Sequence, residues 1–247
     1  MDLDRRRPDL GPALRHARAV PDRPSLHALP ADLPVRPATL DGVAARAARR
    51  GGPTVTARRV VLVGAESTGK TTLAQDLCAA LRRRGGALAA TRWIPEYGRE
   101  YTIEKLAREG GPDARMDALV WTSADFVAIA REQNALEARA ALDTGPVLLC
   151  DTDAFAVGVW HERYLGNCSP KVESLAITEP SLYLLTHHDD VAFEADEIRD
   201  GERFRAWMTD AFVERLRGSA HWLAWVRGGR EERVETGLRE IERFLRP

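Results

Sequence analysis

Val60-Val61-Leu62-Val63 runs directly into Gly64-Ala65-Glu66-Ser67-Thr68-Gly69-Lys70-Thr71-Thr72. A short β-branched run followed by Gly-x-x-x-x-Gly-Lys-Thr is a P-loop, a residue set suited to holding a polyphosphate. Gly64 and Gly69 permit turns that a Cβ forbids. The amides of the loop, including those of Glu66, Ser67 and Thr68, converge into an anion nest. The helix opening at Thr71 and Thr72 adds its positive dipole end. Lys70 has the reach for the β- and γ-phosphates, and Thr71 carries a hydroxyl that can ligate Mg²⁺. ATP and Mg²⁺ are the expected cofactors. Lys70 is one of only three lysines, with Lys105 and Lys171, so its place in the loop is not background.

Two acidic positions suit the same chemistry. Val147-Leu148-Leu149-Cys150 is an apolar run that ends in Asp151-Thr152-Asp153. A carboxylate at the tip of a buried strand is the Walker B pattern, so Asp151 is expected in the metal shell. Asp153, two residues on, either assists the metal or binds substrate and its hydroxyl. Glu96 stands after a second strand in Pro95-Glu96-Tyr97-Gly98-Arg99. Ligands of open α/β sheets bind beyond the carboxyl ends of the strands, so Glu96 is a candidate to orient or deprotonate an attacking hydroxyl, with Tyr97 beside it for substrate. A dense polar stretch, Asp196 to Arg205, reads as a lid. Arg199 and Arg203, four apart, share one face of a helical lid and can clamp a transferring phosphoryl group, with Asp196 near the substrate.

Other polar features read as plain structure. His187-His188-Asp189-Asp190 reads as a polar loop, because adjacent histidines are expected to point in different directions and no third ligand has suitable spacing. Trp93, Trp121 and Trp160 suit either stacking on a base or core packing. The three cysteines, Cys78, Cys150 and Cys168, show no metal spacing and no disulfide framework.

The elements that must position these residues alternate. After the P-loop strand, Leu73, Leu77 and Leu81 give a helix one apolar face, and Gly85-Gly86 ends it. Further strands are expected at 87–94, 147–150, 181–185 and 221–226, and helices at 97–108, 113–142, 202–217 and 230–245. No element is assigned between Thr152 and Pro180. The pattern predicts a five-stranded parallel sheet covered by helices on both faces. Residues 1–57 differ: eight of the fourteen prolines, ten arginines against six aspartates and no aromatic residue mark an extended segment, with one possible helix at 40–50. The chain therefore divides into 1–57 and a kinase domain at 58–247. A formal net charge of -1 does not point to nucleic acid, and no apolar run reaches bilayer length. The N-terminus has no apolar signal core, so the cytoplasm is the expected location.

Taken together, Gly64–Thr71, Pro95–Tyr101, Asp125-Phe126 with Ile129-Ala130 and Gln133, Asp151-Thr152-Asp153 and Asp196-x-x-Arg199 resemble the ribosylnicotinamide kinase domain of NadR-type proteins. The resemblance covers about 58–247. It implies a nucleoside-monophosphate-kinase-like sheet, with the Asp151 strand beside the P-loop strand. It also implies phosphorylation of the 5′-hydroxyl of nicotinamide riboside by ATP, in NAD biosynthesis. The family's helix-turn-helix and its nucleotidyltransferase His-x-Gly-His motif are not visible here, so operator binding and adenylyl transfer are not expected. The expected partner is a small nucleoside, and homo-oligomerisation stays open. Two alternatives remain: a kinase for another nucleoside or small molecule, and a regulatory ATP-binding switch whose basic tail contacts DNA or a partner.

Overall fold

The structure, a computed structural model, describes residues 57–109, 119–194 and 201–246. These belong to one of two compact units of the chain; the other, Gly11–Thr54, lies wholly outside them. The extended segment and the helix at 40–50 expected from the sequence fall outside the described residues, as do Asp196 and Arg199.

Five strands form one sheet: β1 (Arg58–Val63), β2 (Arg92–Ile94), β3 (Val147–Asp151), β4 (Leu182–Thr186) and β5 (Trp222–Val226). All pairs are parallel, in the order β2-β3-β1-β4-β5. The helices are α1 (Lys70–Arg83), α2 (Tyr97–Glu109), α3 (Ser123–Ala141), α4 (Ala154–Leu165), the single turn α5 (Pro170–Glu173), α6 (Arg205–Leu216) and α7 (Arg230–Leu245).

The central strands are continuous apolar runs because both of their faces are covered. Strand side chains alternate between the faces. Val60, Leu62, Leu149 and Leu184 pack on Leu73, Leu77 and Leu81 of α1 and on Ile241 and Phe244 of α7. Val61, Val63, Cys150 and Leu185 pack on Ala156 and Val159 of α4 and on Met208 and Phe212 of α6. Each such buried side chain stabilises by about 1.5–3 kcal/mol, which makes the register of these strands firm. In that register Leu62 lies opposite Asp151, so the P-loop and the acidic tip of β3 leave the sheet side by side.

The structure differs from the sequence reading in three places. Only Arg92–Ile94 of the expected strand at 87–94 is extended; Gly86–Ala90 is a 3-10 turn that buries no residue and so gains nothing from sheet pairing. Of the helix expected over 113–142, residues 113–118 lie outside the described residues and 119–122 are not helical; α3 begins at Ser123, where Thr122 and Asp125 form a capping box, and Val120 is 73% exposed ahead of it. Helix α4, for which the reading has no element, runs from the Asp153 cap to a left-handed Gly166. No helix among the described residues is long and apolar enough to cross a membrane.

Candidate active site

A cavity of about 360 Å³ opens beyond the carboxyl ends of the strands. The loop residues Glu66 to Thr72 form one wall, and Asp151, Glu96 and Arg99 face it across the same space. The glycines hold the loop in shape. Gly64 has φ +145°, and a Cβ there would meet Thr186 Oγ1 at 2.2 Å. Gly69, at φ +77°, is the left-handed residue from which α1 starts. Lys70 is buried and donates to the Ala65 carbonyl at 2.8 Å, folded onto its own loop.

Thr71 Oγ1 donates to Asp151 Oδ2 at 2.5 Å. Asp151 Oδ1 is buried and has no hydrogen-bond partner among the described residues. Burial pushes the Asp151 carboxyl above the ordinary carboxylate range, against the opposing charge of Lys70, the Thr71 hydrogen bond and the charge of Arg99. A buried carboxylate oxygen with an unused lone pair, next to a hydroxyl, fits Mg²⁺, which takes hard oxygens and few protein ligands. The donor set therefore suits the expected cation.

Asp153 does not face this cavity. It is fully buried, its Oδ1 accepts the Ala156 N–H at 3.0 Å, and its Oδ2 accepts the Tyr183 hydroxyl at 2.6 Å. Arg59 Nη2 lies 3.3 Å from it and also donates to Glu137 at 2.6 Å. The cause lies in the residue between the two aspartates. An extended strand would put positions i and i+2 on one face, but Thr152 has φ +73°. This left-handed turn at a β-branched residue sends Asp151 to the cavity and Asp153 into the core.

Glu96 reaches the cavity while Tyr97 does not line it. The Tyr97 ring packs edge-on against Tyr101. The Tyr97 N–H donates to Gln133 Oε1 at 3.0 Å, and Gln133, which lines the cavity, donates in turn to Glu137. Arg203 is exposed and lies over the adjacent Phe204 ring, away from the cavity lining.

Three arginines support the loop from outside: Arg163 and Arg233, which the sequence reading passes over, and Arg205, which it places at the end of the lid. Arg163 of α4 donates to Glu66 Oε1 at 2.9 Å and sits over the Tyr164 ring at 4.5 Å, while Gly201 N donates to Glu66 Oε2. This pairing offsets a carboxylate that would otherwise oppose a bound polyphosphate. Arg205 donates to the carbonyls of Val191 and Ser67, and Arg233 to that of Thr68 at 2.7 Å. Both guanidiniums are buried, so their charge is felt across the loop with little screening. No local motif marks them, since their partners are distant backbone carbonyls.

The far end of the cavity is aromatic. Trp121, Phe126, Trp160 and Tyr164 line it, and Trp121 packs 5.4 Å from Phe126 and 5.2 Å from Tyr164. The buried indole N–H groups of Trp93, Trp121 and Trp160 have no acceptor among the described residues, and all three residues line the cavity.

The AAA_28 family model, described as an AAA domain, matches residues 59–233. The chain belongs to this AAA domain family. No curated protein matches the sequence. Among solved structures, the AAA-domain chain is similar to a thymidylate kinase from Ehrlichia chaffeensis, with a TM-score of 0.53 and 14% identity over 77% of this chain and 99% of that one. It is also similar to the NadR protein in complex with NR, with a TM-score of 0.50 and 18% identity over 75% of this chain. A NadR protein in complex with NAD and AMP-PNP aligns with the same TM-score and identity. The chain spans 51% and 49% of those two NadR chains. The fold of this AAA-domain protein is thus of the P-loop, nucleoside-monophosphate-kinase-like kind: an all-parallel five-stranded sheet with flanking helices.

Proposed function

We propose that the protein transfers the γ-phosphoryl group of ATP to the 5′-hydroxyl of nicotinamide riboside, giving ADP and nicotinamide mononucleotide. The observation that carries this reading is one cavity that joins a polyphosphate nest, a cation-binding oxygen pair, an acidic acceptor of a hydroxyl proton and an aromatic end. Nicotinamide riboside carries a flat pyridinium cation, and cations of that kind are favoured over aromatic faces. Lys70 and the loop amides hold the phosphates. Thr71 and Asp151 would hold Mg²⁺, which when bound neutralises charge on the phosphate oxygens. Glu96 orients the hydroxyl and takes its proton. Asp196 and Arg199 keep the lid role that the resemblance implies. Phosphoryl transfer needs positioning and charge neutralisation more than covalent chemistry, and these groups provide both.

A second reading has one specific support. Arg99 lines the cavity beside Glu96, and a guanidinium there favours an anionic acceptor such as a nucleoside monophosphate. One experiment separates the two. The full chain is incubated with Mg·ATP and, in turn, nicotinamide riboside, thymidine, uridine, cytidine and thymidylate, and ADP and phosphorylated product are separated by chromatography. Nicotinamide mononucleotide formation at the highest kcat/KM of the set is expected. Preference for thymidylate would favour the second reading, and turnover of none of them would overturn both.

A further inference from the structure

A cluster at the exit of β4, outside the cavity, is not used by this chemistry. His187 and His188 do not point apart as the sequence suggests; their rings stack with centroids 4.4 Å apart and planes 21° apart. Asp189 turns back onto both. Its Oδ1 is 3.2 Å from His188 Nε2, and its Oδ2 is 3.6 Å from His187 Nδ1. One ligand atom from each residue lies within 4.8 Å of the others.

Following the protons shows what these atoms present. The Thr209 hydroxyl donates its one hydrogen to the Arg205 carbonyl at 2.9 Å. Its 3.0 Å contact with His188 Nδ1 must therefore be received from that nitrogen. In the neutral ring this assignment leaves His188 Nε2 a bare lone pair, and that is the atom facing the carboxylate. His187 Nδ1 accepts the Asp189 N–H at 3.2 Å, so it too is unprotonated. In the neutral rings His188 Nε2 and the Asp189 carboxylate face one another with no hydrogen between them, and His187 Nδ1, which accepts only the 3.2 Å Asp189 N–H, lies 3.6 Å from the same carboxylate, so an electrophile among them relieves a contact between lone pairs. Two ligands about 2.1 Å from a tetrahedral ion stand about 3.4 Å apart, and the two contacts to Asp189 bracket that spacing.

We propose that His187, His188 and Asp189 bind a divalent transition metal of the zinc class, at a site separate from the Mg²⁺ site in the cavity. Imidazole donors select such ions over Mg²⁺. The Thr209 hydroxyl supplies the outer hydrogen bond that fixes the tautomer and orientation of a ligating histidine. Binding exchanges two weak contacts, the Asp189 N–H to His187 and the stack of the two rings, for metal bonds, with the half-buried His187 ring swinging until both lone pairs meet one ion. The loop beyond the cluster also touches the P-loop. Asp190 is held by Arg227 and the Gly228 N–H, the Val191 carbonyl accepts from Arg205, and the Glu194 carbonyl accepts from Ser67 Oγ. A metal at the cluster therefore pins the loop that closes the outer side of the cavity.

The test is isothermal titration of the full chain with Zn²⁺ and with Ni²⁺, without nucleotide. Wild type is compared with His188→Ala and with Asp189→Asn, the latter a change at an exposed side chain that leaves packing intact. One site is expected, weakened at least tenfold by each substitution. Ni²⁺ should also quench tryptophan fluorescence through Trp225, whose ring centroid lies 5.4 Å from that of His187, and Trp225→Phe should remove that quenching. Absence of binding, or binding that both substitutions leave unchanged, overturns the proposal and leaves the cluster as a plain imidazolium–carboxylate pair.

Discussion

Replacing Asp153 separates a carboxylate that holds the fold from one that acts on substrate. Three interactions meet at its side chain: the Ala156 N–H at 3.0 Å, the Tyr183 hydroxyl at 2.6 Å and the Arg59 guanidinium at 3.3 Å. Loss of the helix cap costs about 1 kcal/mol. Leaving the fully buried Tyr183 hydroxyl without an acceptor costs about 1–3 kcal/mol. Removing a buried charge partner costs up to about 3–5 kcal/mol, but Arg59 keeps Glu137 and so loses only part of that. The three share one network and do not add in full. Asp153→Ala is therefore expected to lose about 3–5 kcal/mol. At about 2–4 °C per kcal/mol for a domain of this size, the thermal midpoint falls by roughly 6–20 °C. Asp153→Asn keeps one acceptor, the oxygen that caps Ala156 N–H, and turns an amide N–H toward the Tyr183 hydroxyl and Arg59, so its loss is about 1–3 kcal/mol.

Turnover per folded molecule is the discriminating readout. Urea unfolding followed by circular dichroism gives the stability, and ADP release with a nucleoside acceptor, well below both midpoints, gives the rate. Both variants should keep rates within a few-fold of wild type. If Asp153→Asn unfolds like wild type but turns over a hundredfold more slowly, Asp153 reaches the reacting groups and the division of labour drawn from Thr152 is wrong.

Other substitutions probe the cavity. Lys70→Ala should lower kcat by on the order of 10²–10³ with an unchanged circular dichroism spectrum; unaltered turnover would remove the loop from the chemistry. Because burial raises Asp151 above its ordinary value of 3.8, the folded chain keeps that proton to higher pH than the unfolded chain. The stability so gained is complete below the ordinary value and is lost as pH rises through the raised one. Asp151→Asn deletes this titration, so its midpoint without Mg²⁺ or nucleotide should gain on wild type as pH rises, while turnover collapses; a pH-independent gap would refute this. Arg233→Met leaves the Thr68 and Gly228 carbonyls without their buried donor. It should cost about 2–4 kcal/mol in urea unfolding and weaken nucleotide binding measured by calorimetry.

What the sequence reveals depends on whether a local pattern encodes it. The P-loop and the final helix, Arg230–Leu245, are legible because glycine spacing and helical periodicity are local signals. Helix α4 is not, because Ala154-Phe155-Ala156-Val157-Gly158-Val159-Trp160 is apolar on nearly every side and shows no period. Its boundary signals, the Asp153 cap and Gly166, are weak beside Asp153's apparent role in a carboxylate pair. The pairing of Asp151 with Asp153 fails for a related reason: periodicity assumes an extended backbone, and the φ of +73° at Thr152 is set by the tertiary structure. Arginines 163 and 233, and the role of Arg205 toward the P-loop, are hidden by composition, since arginine carries nearly all the positive charge in this chain. The role of each comes from one distant partner in the P-loop.

Part of the cost held in the structure falls where a ligand would offset it. Ser67 and Thr152 are the non-glycine residues with positive φ among the described residues, and both line the cavity. Each such backbone costs about 1–3 kcal/mol. Asp151 Oδ1 and the indole N–H groups of Trp93, Trp121 and Trp160 are buried without partners among the described residues, and their residues line the same space. Evolution toward stability alone would remove strain and unpaired polar atoms, because most proteins have stabilising substitutions within reach. Other such atoms, among them Thr91 Oγ1 and Asn134 Oδ1, lie off the cavity, but two strained backbones and these four groups share one hollow, which indicates that the resting site is arranged for a bound state, in which polyphosphate, cation and acceptor complete the hydrogen bonding. A ligand at a hundred times its dissociation constant adds about 2.7 kcal/mol to the folded state. That is comparable to the strain held in one of these residues, so occupancy of the cavity is expected to register as a clear rise in the unfolding midpoint.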